Sequence, residues 1–288
     1  MFIAIVGSRF SGKSTVEDYL IAKGFTSVRL RNKDDSHLQT ISFDSPALLL
    51  GHVTQHWRSS FVTTDLDSDR LVNYFIRRPF FMLISIDAPI LQRYHRSNGR
   101  LSLLRRASPQ VKLKIVNSFD SIADLHRHLD SLDITDTNRL RPQWDTYFMT
   151  LADLASQRSN CMKRRVGAIL VRENRIVATG YNGTPRGVKN CNEGGCGHCN
   201  QTSLTNGTEC LCLHAEENAL LEAGRDRVGA NATMYCNTCP CLKCTIKIIQ
   251  SGVKRVVYNL SYKVDEASAQ LFQEAGVEIF RHVPPPEP

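Results

Sequence analysis

Two short stretches of the chain hold the residue types that bind and use a divalent metal. One runs from His214 (His-Ala-Glu-Glu-Asn-Ala-Leu-Leu-Glu-Ala-Gly); the other is Pro240-Cys-Leu-Lys-Cys244. His214, Cys241 and Cys244 offer one imidazole and two thiolates, donors that zinc favours. Three protein ligands leave a fourth tetrahedral position open, the layout of a catalytic site, whereas a structural site closes with four. Glu216 follows His214 by two residues, where its carboxylate can face a metal-bound water without ligating the ion. Zinc lowers the pKa of such a water to about 7, so the chemistry these residues suit is metal-assisted hydrolysis. A Cys-x-x-Cys redox pair would leave His214 and Glu216 unexplained, and a structural zinc knuckle has no use for Glu216. Glu217 falls elsewhere around the same helix and reads as structural.

The elements around these residues follow from local signals. After His214 the chain reads as a helix closed by Gly224. Pro240 suits a helix start, and the residues from Cys241 read as a second helix closed by Gly252. Cysteines three apart share a helical face, and a helix N-terminus favours thiolate over thiol. Upstream, 144–158 has apolar residues at helical spacing, and 166–171 with 175–180 reads as a hairpin. Strands at 232–236, 255–258 and 277–280, with a helix at 265–274, complete an α/β order that implies parallel pairing after the hairpin. Both metal-bearing helices then begin near one edge of the sheet. The residues 284–288 read as an extended proline-rich tail.

The first half carries a different motif. An apolar run, 2–6, leads into Gly7-Ser-Arg-Phe-Ser-Gly12-Lys13-Ser14, then a helix ending near Gly24. Strand, G-x-x-x-x-G-K-S loop and helix in that order make a phosphate-binding P-loop. Backbone N–H groups would cradle phosphate, Lys13 would reach the terminal phosphates of ATP or another nucleotide, and Ser14 would ligate Mg2+. A second buried strand at 80–86 ends in Asp87 and precedes a helix with Arg93 and Arg96, placed as such arginines are near the lid of small P-loop kinases. A strand at 111–117 and a helix at 121–132 follow. The segment 30–69 shows no clear kinase motif, and Asp65 is the best candidate there for a metal-holding acid. The polar, turn-rich 133–142 reads as a linker, which sets domains at 1–135 and 142–282.

The totals are those of an ordinary globular protein: 288 residues, 42% hydrophobic and 22% charged, with a net charge of +8 spread over both halves. No run reaches the ~18 apolar residues of a membrane helix, and the N-terminal run lacks the basic region of a secretory signal. A soluble cytoplasmic protein, or one also nuclear, is the expectation. In a reducing compartment, 10 cysteines suggest metal more than disulfides. Asn190-Cys-Asn-Glu-Gly-Gly-Cys-Gly-His-Cys199 has the short-spaced, Gly-rich look of a metal loop, with Cys161, Cys210 and Cys212 nearby in sequence. Lys163, Arg164 and Arg165 form a basic segment that either meets a substrate phosphate or faces solvent.

Taken together, His-x-Glu and Pro-Cys-x-x-Cys make the signature of zinc-dependent nucleobase deaminases. With Asn160-Cys-Met-Lys-Arg-Arg-Val-Gly-Ala168, Gly180-Tyr-Asn-Gly-Thr-Pro185 and Cys239-Pro-Cys-Leu-Lys-Cys244, the second half resembles the deoxycytidylate (dCMP) deaminases. The added P-loop kinase-like half resembles their fungal form. The resemblance implies a cytidine-deaminase-like α/β/α sandwich preceded by a P-loop NTPase-like parallel α/β domain. It implies hydrolysis of dCMP to dUMP, the precursor of dTMP, by a homohexamer that dCTP activates and dTTP inhibits. Carried onto this chain, it makes His214, Cys241 and Cys244 the zinc ligands and Glu216 the proton shuttle. Asn182 and Ala215 become substrate contacts, with a hairpin-exit turn the other reading of Asn182. Arg225 becomes an effector contact or, alternatively, a helix-end charge. A second, structural zinc is implied, with Cys161, Cys191, Cys196 and Cys210 the preferred ligands and Cys199, His198 and Cys212 the alternatives. A rival of the same chemistry, a deaminase editing tRNA or single-stranded DNA, would want stacking platforms and a basic channel; at 8% aromatic residues with none evidently grouped, the chain makes nucleic acid an unlikely partner.

Overall fold

A computed structural model describes residues 1–30, 40–97, 111–200, 209–261 and 266–284. The end of the proline-rich tail lies outside the described residues. The chain divides into two compact units, Met1–Pro142 and Gln143–Pro286.

In the first unit the order is β1 (Phe2–Gly7), α1 (Lys13–Ala22), β2 (Thr26–Leu30), β3 (Thr40–Phe43), α2 (Pro46–Gln55), β4 (Phe61–Thr63), α3 (Asp69–Phe75), β5 (Phe81–Asp87), α4 (Ile90–Arg96), β6 (Leu113–Val116) and α5 (Ile122–Leu132). The strands pair in the order β3-β2-β4-β1-β5-β6, all parallel. Alternation along β1 serves two layers of helix. Ile3 and Ile5 pack with Val16, Leu20, Leu125 and Leu129 of α1 and α5. Phe2 and Ala4 pack with Leu49, Val53, Val72 and Phe75 of α2 and α3. Within 30–69, where the sequence shows no clear motif, lie β3, α2 and β4. Ser45 and Ser68 accept the N–H of Leu48 and Leu71 and so start α2 and α3.

The second unit contains α6 (Trp144–Ser156), β7 (Gly167–Arg172), β8 (Arg175–Tyr181), α7 (Gly197–Asn200), α8 (Ala215–Val228), β9 (Thr233–Thr238), α9 (Leu242–Ser251), β10 (Arg255–Leu260), α10 (Glu266–Glu274) and β11 (Glu278–Arg281). The sheet runs β11-β10-β9-β7-β8. β7 is antiparallel to both β8 and β9, and β9, β10 and β11 are parallel. Ile169, Val171, Tyr235 and Val257 face α6 through Phe148, Met149 and Ala152. The opposite face, with Ala168, Leu170, Met234 and Val256, packs on Ala215, Ala219, Ile248 and Phe272 of α8, α9 and α10. The unit is therefore an α/β/α sandwich. Asp145 ties α6 to the sheet, accepting from the Tyr235 hydroxyl at 2.7 Å and the Arg255 guanidinium at 2.9 Å.

One glycine sets the depth at which α8 lies. A Cβ on Gly180 of β8 would stand 2.1 Å from the Ala215 carbonyl oxygen and 2.5 Å from the Ala219 nitrogen. Only hydrogen at that position lets the first turn of α8, which follows His214 directly, rest on the strand.

Candidate active site and its cysteine-lined wall

His214 is the N-cap of α8 and Cys241 the N-cap of α9. Because the two helices pack side by side on one sheet face, their first residues meet. His214 Nδ1 lies 3.4 Å from Cys241 Sγ and 3.3 Å from Cys244 Sγ. A tetrahedral zinc with ordinary Zn–N and Zn–S bonds would hold such atoms roughly 3.5 Å apart, so the three donors fit one zinc ion. The Cys241 thiol is lowered to about 3, first by the hydrogen bond from Cys244 and then by that from His214. Cys244, buried beside that thiolate, is pushed up. His214 is raised, chiefly by its bond to Cys241. One thiolate therefore stands ready at the helix start.

Glu216, in the first turn of α8, is 4% exposed. Burial holds its carboxyl above the ordinary carboxylate range, with Cys236 of β9 among its contacts. A carboxyl group that favours its proton, beside three ligand side chains, is suited to give and retake that proton. Glu217 instead pairs with Lys247 of α9, tying the two helices together.

His214, Glu216 and Cys241 line a cavity of about 340 Å³, together with Ala215, Asn182, Lys163 and Arg164. Lys163 and Arg164 thus bring positive charge to the cavity lined by the carboxyl, His214 and Cys241. Asn182 is 6% exposed, and its amide is engaged on both sides: it accepts from the Val166 N–H at 2.8 Å and donates to the Arg164 carbonyl at 3.0 Å. It therefore shapes the basic segment. Arg225 is exposed and does not line this cavity; it follows the break at Gly224, where φ 67 and ψ 157 end the regular helix.

The cysteines before α8 are gathered, but not as the quartet 161, 191, 196 and 210. The structure divides that set between two groups. One is Cys161, Cys191, Cys199 and Cys212; the other is Cys196, Cys199, Cys210 and Cys212. Cys199 and Cys212, alternatives on sequence grounds, belong to both. His198 belongs to neither group and lines the cavity. Ligation is a matter of three-dimensional proximity, and sequence spacing carried no signal that could have sorted six near-equivalent cysteines.

In the first unit, the loop after β1 closes on itself around Gly12, whose φ of 98° suits glycine. Lys13 Nζ donates to the carbonyls of Gly7 and Ser8 at 3.1 and 2.8 Å. Ser14 is exposed at the start of α1. Asp65 is not the acid beside this loop: it accepts from the Leu30 N–H at 2.9 Å and stands 3.9 Å from the Arg29 guanidinium, bracing β2 against β4. The acid at the loop is Asp87, which accepts from the Ser8 hydroxyl at 2.8 Å. Its signal is position, at the C-terminal end of β5, one of the two strands that flank β1. Arg93 is buried, bonds the Ala88 carbonyl at 3.0 Å and stands 3.9 Å from Asp87, bracing the start of α4. Arg96 reaches the carbonyls of Phe10 and Phe119.

The chain is similar to known proteins, in its second half and over its full length. Residues 142–260 match the cytidine and deoxycytidylate deaminase zinc-binding region. A deoxycytidylate deaminase of Schizosaccharomyces pombe is 45% identical, covering 98% of both chains. One of Saccharomyces cerevisiae is 40% identical, covering 97% of this chain and 96% of its own. Among solved structures, the dCMP deaminase of cyanophage S-TIM5 in complex with dCMP and dUMP is 34% identical, covering 49% of this chain and 98% of its own, with a TM-score of 0.41. Among the described residues, no helix is long and apolar enough to cross a membrane.

Proposed function

The chain belongs to the deoxycytidylate deaminase family, and on that footing we propose that it hydrolyses dCMP to dUMP and ammonia with one zinc at His214, Cys241 and Cys244. The observation that carries this reading is a single cavity lined by a metal-fitting His/Cys pair with Cys244 behind it, a buried carboxyl and two cations. Zinc, when bound, supplies a water acidic enough to act as hydroxide near neutral pH. Glu216 accepts that water's proton and passes it to N3 of the cytosine ring, which makes C4 electrophilic. Once the hydroxide oxygen has added to C4, Glu216 takes the proton of the new C4 hydroxyl and delivers it to the amine, so that the C4=O bond forms as the C4–N bond breaks and ammonia leaves. Lys163 and Arg164 pair with the 5′-phosphate, and Asn182 holds their segment against the cavity. Ala215 forms the floor beneath the base. The walls limit water around the reacting ring, which strengthens each of these charge interactions.

Regulation and assembly extend the same reading. dCTP activates and dTTP inhibits through a site that includes Arg225, and the chain assembles as a homohexamer. The first unit binds a nucleotide such as ATP at Gly7, Gly12, Lys13 and Ser14, with Mg2+ at Ser14. Supporting this are the parallel sheet, the strand–loop–helix order and the placement of Asp87 beside the loop.

The deciding measurement is ammonia release and loss of cytosine absorbance with dCMP, CMP and deoxycytidine, with and without dCTP. Turnover of dCMP that rises with dCTP is the expected outcome. No turnover of any of the three would overturn the substrate assignment and move a nucleic-acid substrate to the front.

A further inference from the structure

The six cysteines that precede α8 are more than one ion can use. Their two groups of four share Cys199 and Cys212, and within each group all sulfurs lie within 4.8 Å of one another. Neighbouring sulfurs are 3.8 Å apart for Cys161 and Cys199, 3.9 Å for Cys196 and Cys210, 3.5 Å for Cys199 and Cys210, and 3.9 Å for the shared pair, Cys199 and Cys212. A disulfide would bring sulfurs to about 2.05 Å, so these are not bonded pairs. Zn–S bonds of about 2.3 Å in a tetrahedron place sulfurs roughly 3.8 Å apart. The observed separations are those edges.

We propose that Cys161, Cys191, Cys196, Cys199, Cys210 and Cys212 hold two zinc ions, with Cys199 and Cys212 bridging them. Two tetrahedra sharing an edge need two bridging thiolates and two terminal thiolates per ion. The grouping supplies that set: Cys161 and Cys191 end one side, Cys196 and Cys210 the other. A single ion would take four sulfurs and leave two further thiols crowded against it with no partner of their own.

Two further observations point to metal. The packing centre of this region consists of Cys191, Cys196, Cys199 and Cys212 with Cys161 against them. Among the described residues, no aliphatic or aromatic side chain takes part in that cluster. A packing centre of sulfur has little hydrophobic stabilisation, and ligation supplies folding free energy in its place. Backbone N–H groups also point at terminal sulfurs, Met162 at Cys191 (3.5 Å) and Leu211 at Cys196 (3.4 Å). Such bonds stabilise thiolate ligands, and they fall on sulfurs whose charge is not divided between two ions.

The cluster also has a position in the enzyme. Cys212 precedes His214 by two residues, and Leu213 between them is fixed by paired backbone bonds with Gly183. Cys161, Cys199, Cys210 and Cys212 line the same cavity as His214 and Glu216. The two ions thus hold part of the wall of that cavity and the approach to the first ligand of the catalytic zinc.

The test is metal analysis of the full-length protein, expressed with added zinc and purified reduced, without chelator. Three zinc ions per chain are expected, falling to two in Cys241→Ser, which removes only a ligand of the other site. Two zinc ions per chain in the unaltered protein, or visible absorbance from an iron–sulfur centre, would overturn the proposal. A count that does not fall in Cys241→Ser would count against the catalytic zinc and leave the cluster reading intact. The wild-type chain loaded with 113Cd gives a second reading that depends on no variant. Two mutually coupled resonances in the tetrathiolate range are expected, because coupling passes only through shared sulfur. A single tetrathiolate resonance, or two without coupling, would overturn the bridge.

Discussion

Glu216 is where residue chemistry and stability meet. Glu216→Gln keeps the shape and removes the proton carrier, so zinc content should be unchanged while dCMP turnover falls by about 10²–10⁴-fold. Metal analysis and an ammonia assay on one preparation check both halves. The same substitution has a pH signature. Burial raises the folded-state pKa above the ordinary 4.5. Its stabilising contribution is therefore fully present below about 4.5 and is lost as the pH climbs through the folded value, because the folded chain must then ionise a buried acid. Wild-type melting temperature should drop more steeply than that of Glu216→Gln from about pH 5 upward; parallel curves would remove this account. Lys163→Ala should raise KM for dCMP with little change in kcat, and should leave the weaker use of deoxycytidine, which has no phosphate, unaffected. The ligands and Glu216 were legible because their spacing is itself the geometry: one turn of each of two helices. Asp87 was passed over for Asp65 because each of the two strands flanking β1 leads to an acid, and which of them meets the loop is not written in any local motif.

At the scale of elements, the site depends on how closely α8 lies on β8. Gly180→Ala would drive a Cβ into the Ala215 carbonyl, at 2.1 Å. Backbone cannot yield as a flexible side chain would, so the helix must lift. The expected cost is roughly 1–3 kcal/mol, read as a lower melting temperature, together with reduced zinc retention because His214 moves with the helix. A variant that melts lower but holds its zinc would show that β8 sets stability without setting the ligand. The helices and strands of the second unit were legible from periodicity, Gly stops and the Pro240 start. In the first unit, α2 and α3 were not, although Ser45-Pro46 and Ser68-Asp69 are ordinary N-terminal signals. The strands between them, β3 and β4, are only four and three residues long. That is too short for alternation to stand out against neighbouring helical pattern.

At the scale of the whole molecule, two units with separate cores carry two separate sets of chemical groups. The metal-ligand and carboxyl groups lie in the second, the glycine-rich loop with Lys13 and Asp87 in the first. Substituting Lys13 in the full-length chain separates their tasks. Lys13 Nζ now satisfies two loop carbonyls, and a bound polyphosphate would draw it onto oxygen with a charge-assisted hydrogen bond. Such a bond contributes about 1.5–3 kcal/mol, so Lys13→Ala should weaken ATP or dNTP binding by roughly 10- to 100-fold, measured by calorimetry. Basal dCMP turnover should not change, because no group of that loop lines the deaminase cavity. Unaltered nucleotide affinity would remove the phosphate role of the loop. Lost activation by dCTP, with basal turnover kept, would place the first unit inside the control of the second; full activation would leave control to the deaminase unit and give the loop a task of its own.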